Sequence, residues 1–214
     1  GGSANTVTLS TLSGGNMNTI AVTGSTSVTL NGNITTNNSS GNSVTITGTT
    51  INTGAITIDT DNSSNDGAIN LVGSVAGGNN NLVLNSGTAE ITLSGTALNL
   101  GSGSLTTTGD INLANNVSIT ATGGITINNK IDADDASSND RTLTLNSGTG
   151  STMTFNNAIG STEPLAGLTI TQSDGVTFNN TLNVTDGSPG TLTVTDTENG
   201  SDIIFNGAVT LEAV

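Results

Sequence analysis

Short alternating runs of apolar and polar residues dominate this chain, and they are clearest over residues 168–186. Three runs follow one another there: Leu168-Thr169-Ile170, Val176-Thr177-Phe178 and Leu182-Asn183-Val184. Successive side chains of a β-strand point to opposite faces, so each run sends two apolar side chains one way and a polar one the other. The connections at 172–175 and 179–180 consist of residues that tolerate turns. The segment therefore predicts three short strands joined by corners.

The same unit recurs along the chain. Its first strand is assigned to alternating runs about 22–26 residues apart, which open at Ile20, Val44, Ile69, Ile91 or Leu93, Val117, Leu143, Leu168 and Leu192. Triplets that start at Ile20, Val117 and Leu168 share one spacing to their second and third strands. A unit of about 24 residues with no helix buries its apolar side chains only by stacking on its own copies.

This repeat predicts an all-β fold, a right-handed parallel β-helix (β-solenoid) with three short strands per coil of about 24 residues. Roughly eight to nine coils, each about 4.8 Å high, give a rod about 40 Å long. Residues 1–214 are interpreted as a single solenoid domain.

One corner pattern predicts two side-chain columns. An apolar-x-apolar run followed by Asn, then Asn or Gly, recurs at 28–34, 125–131, 153–159, 176–182 and 203–209. Phe155, Phe178 and Phe205 share one position of this pattern, so we expect an internal column of stacked rings. The asparagine after each should form an amide ladder, as in-register strands allow.

The register is ambiguous at one place. Residues 82–88 closely resemble residues 143–149, yet about two and a half periods separate the two segments. Either a corner between them carries an insertion, or one turn solution serves two faces of the solenoid.

Charge and composition narrow the function. The formal net charge is −14, and Lys130 and Arg141 are the only cationic side chains. Nucleic acid and anionic membrane surfaces both require basic clusters, so neither partner is expected. No run of eighteen apolar residues is present, which argues against membrane insertion. A cysteine-free, acidic repeat that begins Gly1-Gly2 suits a processed or excised segment of a longer secreted bacterial protein.

Three segments carry a family resemblance: 146–150, 153–160 and 164–170. They resemble repeats of filamentous-haemagglutinin-like giant exoproteins, also described as β-strand-repeat bacterial surface proteins, and the likeness is clearest over residues 125–211. The resemblance implies a right-handed parallel β-helix at the cell surface with an adhesive, coat or filament role. The secretion-signal domain that opens many members of that family is missing from this sequence.

Two acidic loops are candidate calcium sites. Residues 59–66 resemble residues 132–140, and a separation of about three periods predicts that both project from the same corner. The candidate ligands are the carboxylates Asp59, Asp61, Asp66, Asp132, Asp134, Asp135 and Asp140. Ca²⁺ takes six to eight oxygen ligands, but neither loop has the EF-hand or β-roll signature. The alternative interpretation is a pair of exposed loops whose carboxylates aid solubility.

Other activities are less well supported. Thr-x-Thr runs suggest an ice-binding face, although threonine is also common on solvent-facing strands; the runs are Thr6/Thr8, Thr45/Thr47, Thr142/Thr144, Thr169/Thr171 and Thr193/Thr195. A glycosidase would need paired carboxylates such as Asp196/Glu198 or Asp132/Asp134, and a lyase would need Arg141 as its base. No catalytic residue is assigned, because nothing apolar surrounds these groups to raise an acid's pKa.

The function expected is a non-enzymatic extracellular stalk or adhesin shaft. Both ends of the chain alternate like strands, and an uncapped solenoid end exposes strand edges that template further pairing. The alternatives are therefore a subunit that stacks end to end into a filament, surface layer or sheath, and a Ca²⁺-stabilised polysaccharide-binding module. The partners expected are further copies of the chain or other cell-surface components.

Overall fold

The computed structural model describes residues 5–14, 18–36, 43–61, 65–134, 141–186, 190–195 and 202–211. Over these ranges the chain is all-β and contains no helix. Its parallel strands stack as a β-solenoid with about 24 residues per coil, which confirms the predicted fold.

Twenty-two short strands form the coils. In chain order they are β1 (Thr6–Leu9), β2 (Leu12–Gly14), β3 (Thr19–Leu30), β4 (Ile34–Thr36), β5 (Ser43–Asn52), β6 (Ile56–Asp59), β7 (Ala68–Leu71), β8 (Val75–Ala76), β9 (Leu82–Leu93), β10 (Ala97–Gly101), β11 (Leu105–Leu113), β12 (Val117–Ala121), β13 (Ile125–Ile127), β14 (Ile131–Ala133), β15 (Thr142–Asn146), β16 (Met153–Phe155), β17 (Gly167–Gln172), β18 (Val176–Phe178), β19 (Leu182–Val184), β20 (Thr191–Val194), β21 (Ile203–Phe205) and β22 (Val209–Leu211).

Parallel pairing between coils builds three faces, and β3, β5, β9 and β11 each turn a corner and so contribute to two of them. Face A stacks β1, the ends of β3 and β5, then β8, β10, β12, β15, β17 and β20. Face B stacks β2, β4, β6, the starts of β9 and β11, then β13, β16, β18 and β21. Face C stacks the starts of β3 and β5, then β7, the ends of β9 and β11, β14, a bridge at Ile159, β19 and β22.

Alternation places columns of apolar side chains inside each face, and buried Thr50 and Asn52 interrupt them on face A. On face A, Leu98, Ile119, Leu145 and Ile170 are paired coil to coil, and all are at most 2% exposed. Burying an aliphatic side chain of this size stabilises the fold by roughly 1.5–3 kcal/mol. Because no single coil encloses these side chains, that stabilisation exists only between neighbouring coils.

The two predicted side-chain columns are confirmed on face B. The Phe155 and Phe178 rings stack with centroids 5.0 Å apart and planes 9° apart, and Phe178 and Phe205 stack at 4.8 Å and 1°. The neighbouring amides form a ladder in which each Nδ2 donates to the Oδ1 one coil earlier: Asn156 to Asn128 at 2.9 Å, Asn179 to Asn156 at 3.0 Å and Asn206 to Asn179 at 2.9 Å.

The assumed equivalence of all first strands is wrong. Ile20 pairs with Val44 on face C, and that column continues through Ile69 and the end of β9 to β14. Val117 instead pairs with Leu143 on face A. The triplets starting at Ile20 and Val117 thus share their internal spacing but begin on different faces. All three sides need the same inward-outward-inward pattern, so local spacing does not reveal which side a strand occupies.

The ambiguous register is resolved in favour of one turn used on two faces. The Leu82 run lies on face B and the Leu143 run on face A. In both turns the glycine amide donates to the asparagine Oδ1 two residues before it, Gly87 to Asn85 at 3.2 Å and Gly148 to Asn146 at 2.7 Å. Both glycines have positive φ, 60° and 73°, a conformation that glycine adopts without strain.

Candidate functional site

An open cleft of about 320 Å³ lies on face C, where three coils present charged side chains. Ile91, Ile111 and Ile131 stack as an inward column in β9, β11 and β14. The residues next to each isoleucine therefore face outward, and Glu90 is directly paired with Asp110. The cleft is lined by Thr88, Glu90, Asp110, Ile111, Asn112, Lys130, Asp132, Ala133, Thr162 and Glu163.

Lys130 is the cation of this cleft. Its Nζ lies 3.0 Å from Asp132 Oδ2 and 3.7 Å from Asp110 Oδ2, and it donates to Thr162 Oγ1 at 3.1 Å. The hydrogen bond to Asp132, aided by the charges of both carboxylates, raises the pKa of Lys130. The amine therefore stays protonated, which removes it as a nucleophile or base at neutral pH.

The carboxylates are held by neighbouring polar groups. Glu90 accepts from Thr92 Oγ1 at 2.7 Å and from Asn112 Nδ2 at 3.3 Å. Asp132 accepts from the Thr162 amide at 3.0 Å. With Glu163, four carboxylates line the cleft against one lysine, so the cleft offers oxygen ligands in negative excess. Such a lining is suited to hydroxyl-rich or cationic ligands.

Asp132 was predicted from the sequence as a site residue, but the cleft around it was not. A signal was present, because Glu90, Asp110 and Lys130 are spaced 20 residues apart, the length of the shortest coils. These charges lie outside the acidic loops, since Glu90 and Asp110 stand inside β9 and β11 and Lys130 directly precedes β14.

The two acidic loops leave from different corners, so the predicted shared corner is wrong. Asp59 ends β6 on face B and is paired with Asn85, whereas Asp132 lies in β14 on face C and is paired with Asn112. The reason is the same as for the first strands, because segments with similar spacing were taken to lie on the same face. Asp135 and Asp140 lie outside the described residues.

The remaining acidic candidates have protein partners. Asp59 Oδ1 accepts from the Asp61 amide at 3.1 Å and from Asn85 Nδ2 at 3.1 Å. Asp66 Oδ2 accepts from the amide and the hydroxyl of Thr88 at 2.7 and 2.6 Å. Within the described ranges, no group of three or more His, Cys, Asp or Glu residues is close enough to hold a metal ion.

Asp134 and Arg141 form a two-pronged ion pair. Nε and Nη2 of Arg141 donate to Oδ1 and Oδ2 of Asp134 at 2.6 and 2.7 Å. The guanidinium hydrogen bond lowers the pKa of Asp134, and the carboxylate raises that of Arg141. The guanidinium of Arg141 is thus held in a structural ion pair, which weighs against its use as a lyase base. The glycosidase candidates Asp196 and Glu198 lie outside the described residues.

The Thr-x-Thr runs do not share one face. Thr144, Thr169 and Thr193 are paired in sequence on face A. Thr45 lies on face C, where it is paired with Asn70. A continuous threonine array therefore extends over only part of the rod.

Comparison of the chain with known proteins adds no relative. No protein-family model matches it, and no curated protein or solved structure matches it. No helix among the described residues is long and apolar enough to cross a membrane.

Proposed function

We propose that this chain is a rigid, non-enzymatic segment of an extracellular bacterial surface protein, used as a stalk or adhesin shaft. The observation that carries the proposal is the parallel stacking of strands on all three faces, reinforced by the Phe155–Phe178–Phe205 column and the amide ladder beside it. Bending such a rod requires breaking ladders on one side, so it keeps its two ends at a fixed separation.

The resemblance to β-strand-repeat exoproteins and the charge support the surface location. A net charge of −14 with two cations disfavours nucleic acid as a partner. The partners proposed are further copies of the chain and other cell-surface components, and no membrane insertion is proposed.

Rigidity is testable with spin labels, because the chain has no cysteine of its own. We expect labels on Ser10→Cys and Thr210→Cys to give one narrow distance distribution near the rod length of about 40 Å. A matched pair at Thr126→Cys and Thr210→Cys should give a similarly narrow distribution at a shorter distance. A broad distribution for the long pair, with a narrow one for the short pair, would show a hinged segment and rule out a rigid stalk.

A filament subunit is the second candidate, and the last described coil favours it. Ile203, Phe205, Val209 and Leu211 occupy inward positions, yet they are 36%, 40%, 40% and 46% exposed. Within the described part of the chain, β21 pairs only with β18 and β22 only with β19, and an unpaired strand edge can accept a further parallel coil. A second copy that stacks here would continue all three faces.

Electron microscopy of the purified 214-residue chain separates these two candidates. Short rods are expected for a stalk, and long filaments for a stacking subunit. If filaments form, Leu211→Lys should abolish them, because it places a charge at an inward position of the end coil. Thr210→Lys is the matched control, since the neighbouring side chain faces outward, and filaments that survive Leu211→Lys would contradict stacking at this coil.

The cleft around Lys130 favours a third candidate, a Ca²⁺-stabilised polysaccharide-binding module. Its carboxylates and amides are hydrogen-bonding groups suited to sugar hydroxyls. If this candidate is correct, the parent chain should bind sugars on a glycan array. The soluble variants Glu90→Gln and Asp110→Asn, which each remove one carboxylate of the cleft, should lose that binding. Absence of glycan binding by the parent chain would remove this candidate.

A further inference from the structure

Charge is distributed unevenly over the three faces of the solenoid. Among the described residues, the strands that form face A contain no charged residue. Face B carries Asp59 in β6, and face C carries Glu90, Asp110 and Asp132 in β9, β11 and β14. Because the chain has a formal net charge of −14, face A is the side on which repulsion of an acidic neighbour is weakest.

The outward side chains of face A are small and mostly carry hydroxyl groups. They alternate with the buried column, and examples are Thr120 in β12, Thr144 in β15 and Thr169 in β17. A hydroxyl group both donates and accepts hydrogen bonds, so a surface of hydroxyls is complementary to a copy of itself. Uncharged strands of high β-propensity are also the kind that pack sheet against sheet with interdigitated side chains.

Three outward positions in successive strands of face A are apolar. Ile51 in β5 is paired with Ala76 in β8, and Ala97 follows in β10. Ala76 is exposed and the other two are half-buried. Val72, at the corner between β7 and β8, is 44% exposed, the highest value for a described large hydrophobic side chain outside β22. An apolar centre surrounded by uncharged polar groups is the usual arrangement of a protein–protein interface.

The end of β5 inverts the usual alternation. Thr50 and Asn52 point inward, are 2% and 3% exposed, and have side-chain polar atoms without a hydrogen-bond partner in the described chain. Ile51 between them faces outward. A shift of this strand by one residue would bury Ile51 and release both polar side chains to solvent, yet Thr50 stays paired with Val28 and Val75. Proteins break such a local rule, at a cost in stability, where a surface has a function.

We propose that face A is an interface at which two copies of this chain pack side by side, with Ile51, Ala76 and Ala97 at its centre. Nine strands stacked about 4.8 Å apart make the face about 40 Å long, and strands of four to five residues make it about 15 Å wide. A pair therefore buries about 1,200 Å² in total, the lower end of the range of about 1,200–2,000 Å² for stable interfaces.

This pairing differs from stacking end to end. The same patch meets itself, so two copies complete the assembly and a third copy finds no free face A. The interface uses neither the last described coil nor the cleft on face C, so Leu211→Lys should leave the pair intact. Two chains of net charge −14 repel each other, and salt that screens this repulsion should strengthen their association.

The test is sedimentation equilibrium of the purified 214-residue chain over a range of concentrations. We expect a monomer–dimer equilibrium that stops at two copies and tightens at least about threefold from low to high salt. Ile51→Glu should raise the dissociation constant at least about tenfold, because it places a carboxylate at the centre of the interface. Val83→Glu is the matched control, since Val83 is a half-buried outward residue of face B, paired with Thr57 and Thr106. Circular dichroism checks that both variants keep the fold.

The outcomes that overturn the proposal are distinct from failure of the stalk or filament. A chain that stays monomeric at the highest concentration overturns it, and so does equal weakening by Ile51→Glu and Val83→Glu, since added charge would then be the cause. Assemblies larger than a dimer that Leu211→Lys removes would assign the association to end-to-end stacking instead. Retention of a monomer on an uncharged polysaccharide column, lost only in Ile51→Glu, would assign face A to a sugar partner and overturn the pairing of copies.

Discussion

Truncation of the central ring, Phe178→Ala, tests whether stacking between coils stabilises this rod. Phe178 is 1% exposed and lies between Phe155 at 5.0 Å and Phe205 at 4.8 Å. Loss of a buried phenylalanine costs about 3–5 kcal/mol, and each stacked pair contributes about 0.5–1.5 kcal/mol beyond burial. With two pairs lost, we expect the free energy of unfolding to fall by about 5 kcal/mol.

Phe205→Ala is the matched control, because it removes the same side chain from the same column. Phe205 is 40% exposed and stacks on one ring only. Scaled to its buried fraction and single pair, the expected loss is about 2–3 kcal/mol. Both variants are measured by urea denaturation followed by circular dichroism, with the slope compared to that of the parent chain, since repeat proteins can unfold in parts.

The comparison has a clear failing outcome. If Phe178→Ala destabilises the chain no more than Phe205→Ala does, then the central ring gains nothing from its two neighbours, and contacts between coils are not what holds the rod together. A double-mutant cycle on Phe155 and Phe178 then measures the pair energy directly.

Three further predictions concern the polar groups. Asn52 is 3% exposed and pairs with Leu30, and both polar atoms of its side chain have no hydrogen-bond partner in the described chain. Asn52→Leu should therefore raise the free energy of unfolding by about 1–3 kcal/mol. A lower melting temperature for this variant would contradict the prediction. Arg141 lowers the pKa of Asp134 in the folded chain. The ion pair therefore stabilises the fold fully above the unfolded pKa of 3.8, and this stabilisation is lost as the pH falls through the lower folded pKa. In Asp134→Asn the free energy of unfolding should depend less on pH in this window, and an unchanged pH dependence would show that the ion pair does not contribute. Millimolar Ca²⁺ should raise the melting temperature relative to chelator if the acidic loops bind calcium, and the shift should shrink in Asp59→Asn; no shift in the parent chain would remove the calcium hypothesis.

Particular residues show how far the sequence predicted the candidate site. The Phe and Asn columns were predictable because each follows from one repeated position within a corner motif. The cleft was not, since Glu90, Asp110 and Lys130 belong to different coils and become neighbours only through the register of β9, β11 and β14. The wrong corner assigned to the acidic loops had the same origin, because a loop between similar strands carries no local mark of the side from which it leaves.

The sequence alone determined that this chain stacks in coils. Each repeat consists of short alternating strands with no helix and few aromatic residues, so it buries its apolar side chains only by stacking on neighbouring repeats. It also determined which side chains fill the rings and ladders of face B. Only the tertiary structure decided which face each strand occupies. Coil length varies from 20 to 28 residues, so the position of a strand in the sequence does not reveal its face. The hydrogen-bonded pairing between coils assigns each strand to its face.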